Sequence, residues 1–277
     1  MLQVARLAPR LLGESAGLVE SFLRSQIDEQ GAFRGRGGEG DLYYTVFGAE
    51  GLLALRADLP ADSLAAYLRS CGDGAGMDLV HTACLARAWA ALPPASRAPA
   101  PVAALTARLA QHRPEAQSAY ALFLLVGALQ DLGQPLPPAA EVLAILDGLR
   151  AGDGAYANLP GAPQGQTPAT AAAVTVRRQL GAEPEAGLAE WLLARAHRDG
   201  GFFAAPDAPL PDLLSTATAL HALATLQVDV GPVRESCLDF LDTLWSSRGG
   251  FFGHWADDVL DCEYTYYGLL ALGHLSL

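Results

Sequence analysis

One segment recurs six times along the chain, and this recurrence limits the fold more than any other feature. The segments DLYYT, DLVHT, EAQSA, QTPAT, DLLST and DCEYT begin at Asp41, Asp78, Glu115, Gln166, Asp212 and Asp261. A leucine stands fourteen residues after each start, at Leu55, Leu92, Leu129, Leu180, Leu226 and Leu275. The fifth position is Thr45, Thr82, Ala119, Thr170, Thr216 or Thr265, and so is always small. Successive starts lie 37, 37, 51, 46 and 49 residues apart, which is room for two helices and two connections.

Both elements of each repeat read as helices. Apolar residues recur at three- and four-residue intervals in LVESFLRSQI, EVLAILDGLR and LAEWLLARAH, and no segment alternates as a strand does. Each recurring segment opens one helix, and the stretch before it supplies the other. Pro138–Arg150 and Pro232–Ser246 are examples, and both open with a proline that suits a first turn. Glycine-rich turns join the two helices in GAFRGRGG, GDGAYANLPG, DGGFFAAP and GGFFGHWA. The equivalent turns of the second and third repeats have decayed to CGDGAG and QHRP.

Six helical hairpins form either an open solenoid or a closed ring. An open solenoid needs polar caps at its ends. Here the first stretch, MLQVARLAPRLLGESAG, reads as an amphipathic helix, and the last, EYTYYGLLALGHLSL, is apolar to its end. Both ends have a face to bury, so the expected fold is all-α: one closed (α/α)6 toroid over residues 1–277 with the motif-bearing helices inside.

The net charge of −12 disfavours phosphate backbones and anionic membrane surfaces, which excludes nucleic acid as a partner. No apolar run reaches the ~18 residues of a membrane span. The first stretch lacks the continuous apolar core of a signal peptide. Cys71, Cys84, Cys237 and Cys262 are scattered and form no CxxC pair, which suits a reducing, cytoplasmic setting.

The segments GAFRGRGGEGDLYYTVFGAEGLLAL (31–55), GGFFAAPDAPLPDLLSTATALHAL (200–223) and GGFFGHWADDVLDCEYTYYGLLAL (249–272) resemble repeats of the protein prenyltransferase β-subunit family and of the related squalene and hopene cyclases. The resemblance runs over nearly the whole chain. It implies an isoprenoid pocket lined by inner-helix aromatics, with Tyr43, Tyr44, Phe47, Tyr264 and Tyr267 as candidates. In the β subunits, zinc is bound by Asp and Cys of a D-x-C-Y-[ST] segment and by His of a D-x-x-H-T segment on the next inner helix. DCEYT matches the first with Asp261, but Glu263 stands in the Cys place, and around the ring Tyr44 stands in the His place. Pairing Asp41 with His81, which register turns inward, leaves Tyr43 in the Cys place. Neither set is complete. An oxygen-rich pair such as Asp261 and Glu263 suits a hard cation such as Mg²⁺ better than zinc, so no tightly bound zinc is expected.

The same family clamps a diphosphate with basic residues before this segment and with the Tyr that follows it. Tyr264 is present, but the loop HWADDV offers His254 and adds Asp257 and Asp258, two acids without a counter-charge. Arg34 and Arg36 of the first repeat are the candidate replacements. The acidic D-x-D-D segment of class II cyclases does not occur, nor does a Cys–Gln thioester segment.

Asp41, Asp78, Asp212 and Asp261 also suit helix N-caps. Glu263 differs, because register turns it into the ring, where an unpaired charge is costly. The expected function is therefore binding of an isoprenoid, as a diphosphate, in a central aromatic-lined cavity. Asp261, Glu263 and Tyr264 would carry prenyl-transfer or terpenoid chemistry. The alternative is a non-catalytic toroid that binds a hydrophobic ligand or a helical protein partner.

Overall fold

The computed structural model describes residues 1–111 and 118–277. Two short helices open the chain, α1 (Leu2–Ala5) and α2 (Pro9–Leu12). The single amphipathic helix expected here is split. Pro9 has no N–H to continue α1, and Gly13 takes φ 54° after α2. Six hairpins follow. They are α3 (Ala16–Ser25) with α4 (Leu42–Ala54), α5 (Ala61–Ser70) with α6 (Leu79–Ala91), and α7 (Pro99–Gln111) with α8 (Ala119–Asp131). The next three are α9 (Ala139–Gly148) with α10 (Thr167–Gln179), α11 (Leu188–Leu193) with α12 (Leu213–Thr225), and α13 (Gly231–Leu244) with α14 (Cys262–Leu275).

The second helix of each hairpin lies inside. Neighbouring inner helices touch in sequence from α4 to α14, and α14 packs back against α4, so the ring is closed. The inner helices are apolar on nearly every side, because one face meets the outer helix, two meet neighbours and one meets the centre. Helix α1 packs on α14 and α4, and a side chain on Gly273 would collide with the Val4 carbonyl.

Recurring segments begin where helices begin. Asp41, Asp78, Asp212 and Asp261 are N-caps whose carboxylates accept from first-turn amides. Repeat three departs from the expected register. Glu115 lies outside the described residues, as does most of EAQSA and QHRP. The cap of α8 is Ser118, which accepts from the Ala121 amide at 3.0 Å. Its fifth position is therefore Leu122 and its leucine Leu132, three residues beyond the expected Ala119 and Leu129.

The four intact glycine turns share one geometry. Bridges pair Ile27 with Phe33, Arg150 with Tyr156, Ala196 with Phe202 and Trp245 with Phe251. Within each turn, the buried N–H of that aromatic residue donates to the fifth-position threonine of its own inner helix. Phe33 reaches Thr45 at 3.0 Å, Tyr156 reaches Thr170 at 3.1 Å, Phe202 reaches Thr216 at 2.9 Å and Phe251 reaches Thr265 at 3.3 Å. These threonines are hydrogen-bonding staples as well as small packing residues. Gly48 admits the Phe33 ring, which would lie 2.1 Å from a Cβ at that position. A two-residue ladder, β1 (Phe202–Phe203) with β2 (Pro211–Asp212), closes the fifth turn.

Each turn also reaches both neighbours. Backwards, turns four, five and six meet the preceding inner helix. Asn158 accepts from the Tyr120 amide, Ala204 from the Thr167 amide and Gly253 from the Leu213 amide. Turn one completes the circle with Arg36, which bridges to Asp261 at the cap of α14. Forwards, Gly249 (φ 92°) in turn six lies so close to α3 that a Cβ would sit 2.1 Å from the Leu18 carbonyl oxygen.

Candidate functional site

The ring encloses a cavity of about 480 Å³. Its mouth is one layer of side chains, the second residue after each inner-helix cap: Tyr43, Val80, Tyr120, Pro168, Leu214 and Glu263. At 100° per residue, the next inward positions are three, four and seven residues further on. Phe123, Ala169, Ala171, Ala172, Thr218 and Tyr267 form the wall, and Thr175, His221 and Met1 form the floor. Asn158, Gln166, Ala204 and Ala205 from the fourth and fifth turns border the mouth.

Glu263 is the one acid among the described lining residues, and no Lys or Arg is among them. The Tyr43 hydroxyl donates to its Oε1 at 2.6 Å across the α4–α14 seam. Burial pushes the Glu263 carboxyl up to about 7; Asp261 adds to that rise, while Tyr43 and Arg36 oppose it. Glu263 therefore exchanges its proton near neutrality. Burial also raises the Tyr43 phenol far beyond the usual range, so it remains a donor.

Asp261 is not free for a ligand. Its Oδ1 accepts from the Tyr264 amide at 2.8 Å and its Oδ2 from Arg36 at 2.7 Å. Burial still raises its pKa despite these partners. Asp257, expected to lack a counter-charge, takes two further bonds from Arg36, at 3.2 and 2.7 Å. Burial raises Asp257, but Arg36 and the Gly253 and Val259 amides more than offset it, and its pKa is lowered. Arg36 also lies over the Tyr264 ring, 5.1 Å from its centroid. These four residues latch the sixth repeat to the first.

Tyr43, Tyr267 and Glu263 thus meet at the cavity, and the other candidates do not. Tyr44 and Tyr264 are one residue beyond the lining position, so the helix turns them away from the cavity, Tyr44 against Gly35 and Tyr264 against Gly253 and Arg36. Phe47 lies behind the wall, edge-on to Tyr43 with centroids 5.0 Å apart. Asp41 is spent on the Tyr43 and Tyr44 amides. Arg34 points outward to the Ser25 carbonyl. His81 does not face inward; it is exposed and pairs with its own cap, Asp78, at 2.8 Å. The zinc set implied by the resemblance does not assemble, since Asp261 is bound to Arg36, Glu263 to Tyr43 and His81 to Asp78. Among the described residues, no three His, Cys, Asp or Glu side chains converge. Tyr120, Phe123, Thr218 and His221 line the cavity without having been expected there. The signal for them is the mouth position in register with Ser118, together with the positions three, four and seven residues on.

The sequence model of the prenyltransferase alpha-alpha toroid domain matches residues 116–276. The chain belongs to the prenyltransferase α/α toroid family. Among solved structures, this toroid is similar to the type II terpene cyclase MstE from Scytonema without ligand. The TM-score is 0.64 at 13% identity, over 100% of this chain and 98% of that one. It is also similar to a variant of MstE from Scytonema in complex with its substrate geranylgeranyl dihydroxybenzoate. There the TM-score is 0.63 at 13% identity, over 97% of each chain. At this identity the likeness is one of fold. No curated protein matches the chain. No helix of the described residues is long and apolar enough to cross a membrane.

Proposed function

We propose that the toroid binds an isoprenoid chain in its cavity and that Glu263 acts as a general acid–base at the mouth. The observation that carries this reading is a half-buried carboxyl held by the Tyr43 hydroxyl at the head of an otherwise mostly apolar cavity of about 480 Å³, where burial pushes its pKa up to about 7. Such a cavity is of ligand size, and such a carboxyl is matched to proton transfer at neutral pH.

The charge pattern favours a neutral isoprenoid over a diphosphate. No Lys or Arg is among the described lining residues, Arg36 is held by two acids, and Arg34 faces away. The related cyclase holds a geranylgeranyl chain on a dihydroxybenzoate head, and a prenyl chain on a neutral or aromatic head suits this mouth in the same way. Protonated Glu263 would give its proton to the substrate, and a proton lost elsewhere from the product would restore the acid. The net change is an isomerisation or ring closure at constant mass, with no redox partner.

Incubation with prenylated phenols and polyprenyl epoxides in D₂O tests this reading. The expected product has the substrate's formula with deuterium in place of hydrogen. Glu263→Gln should bind the same compounds and form no product. Turnover that persists in Glu263→Gln removes Glu263 from the reaction. Failure of the wild-type protein to bind any prenyl compound removes the isoprenoid reading.

A further inference from the structure

The proton transfer proposed at the mouth makes no use of the polar floor. His221 lies seven residues beyond the mouth position of α12, on the order of 10 Å deeper along the helix axis. Its Nδ1 is 3.0 Å from Nε2 of His274 on α14. His274 is buried, and its own Nδ1 has no partner among the described residues.

This arrangement fixes the proton between the rings. Were His221 the donor, His274 would carry its own proton on Nδ1, leaving an N–H buried and unpaired. With His274 Nε2–H as donor, the orphan is a bare lone pair, the less costly vacancy. His221 then carries its proton on Nε2, the nitrogen left to face the cavity. Burial holds both imidazoles well below the usual histidine range, so both are neutral. The neighbouring threonine hydroxyls spend their protons elsewhere. Thr175 donates to the Ala171 carbonyl at 2.8 Å and Thr218 to the Leu214 carbonyl at 2.7 Å. His221 is thus the side-chain donor of the floor.

We propose that His221, positioned by His274, is a second polar subsite that donates a hydrogen bond to an oxygen at the deep end of the bound chain. The ligand class is then an isoprenoid with an oxygen function at each end, one near Glu263 and one near His221. The proposal rests on the reading of the cavity as an isoprenoid site.

Calorimetric titration with farnesol and with its ω-hydroxylated derivative separates the two readings. The wild-type protein should prefer the doubly oxygenated probe by about five- to tenfold, the yield of one added hydrogen bond. His221→Phe should bind both probes equally, His221→Gln should keep part of the preference through its amide, and His274→Phe should lower it. In the wild-type protein, the ω-hydroxylated probe should move the His221 Nε2–H resonance and farnesol should not, a readout that needs no variant to fold. If neither probe binds, the isoprenoid reading falls and this one with it. If both bind equally, if the preference survives in His221→Phe, or if the resonance does not move, the subsite is overturned and the isoprenoid reading stands.

Discussion

Glu263 enters the ring as a carboxyl that burial has made reluctant to ionise, and this couples folding to pH. Its value rises from 4.5 in an unstructured chain to about 7 in the fold. Between those values the folded protein holds a proton that the unfolded chain has released. Its contribution is therefore complete below about pH 4.5 and is lost as pH rises through about 7, at most on the order of 3 kcal/mol. Urea titrations at about pH 5 and pH 8 should show wild-type stability falling more steeply than that of Glu263→Gln; parallel curves would rule out the coupling. Arg36 presents the opposite case, a cation whose partners Asp261 and Asp257 are 2% and 7% exposed. Arg36→Met leaves both acids without a counter-charge and should cost about 2 kcal/mol, discounted because Arg36 itself is 37% exposed. Asp257→Asn in that background should recover part of the loss. Glu263 was legible in the sequence because a charge at an inward register position is rare. Arg36 stood out in the sequence as a candidate for holding a diphosphate, and its latch was not legible, since the contact of turn one with Asp257 and Asp261 of repeat six depends on the third dimension. Tyr44 and Tyr264 were misplaced by a single residue, and one residue on a helix is 100° of rotation.

Among the elements, the threonine staple separates the four intact repeats from the second. Thr45→Val preserves shape but removes the acceptor for the buried Phe33 amide, and should cost about 1–3 kcal/mol. Thr82 donates to the Asp78 carbonyl at 2.7 Å but accepts no turn amide, because CGDGAG carries no aromatic residue to present one. Thr82→Val should therefore cost less than about 1 kcal/mol. Equal losses in the two variants by urea unfolding would show that the turn bond contributes nothing. This contrast was half visible in the sequence. Threonine at the fifth position and aromatics in the turns both stood out, but nothing in one dimension said that they touch. The shift in repeat three has a similar origin. Leucines at both Leu129 and Leu132 satisfy the pattern, and Ser118 as a capping residue is the feature that selects the second.

For the whole molecule, closure predicts how damage spreads. Gly249→Ala forces a side chain both into the left-handed region and against the Leu18 carbonyl, at the joint between the last turn and the first outer helix. Gly38→Ala takes the same backbone penalty with nothing within 4 Å of the added carbon. The second should cost about 1 kcal/mol and the first at least about 3 kcal/mol. In both variants far-UV circular dichroism and tryptophan fluorescence should report one coincident transition, since every inner helix is held on two sides. Separate transitions would show that the repeats unfold independently, as they do in long open arrays. The ring itself was legible because six registers and two apolar ends admit few other solutions. Mechanically it behaves as a hoop. Its bore is set by six helix spacings in series, each near the 8–10 Å that packed helices allow, and no free end exists to take up slack. A wider guest must strain every joint a little, whereas a longer one meets resistance only at the floor. For the isoprenoid proposed above, selection by girth would therefore be a property of the circumference, shared by residues that never touch the ligand, and selection by length would be left to the few side chains at the bottom.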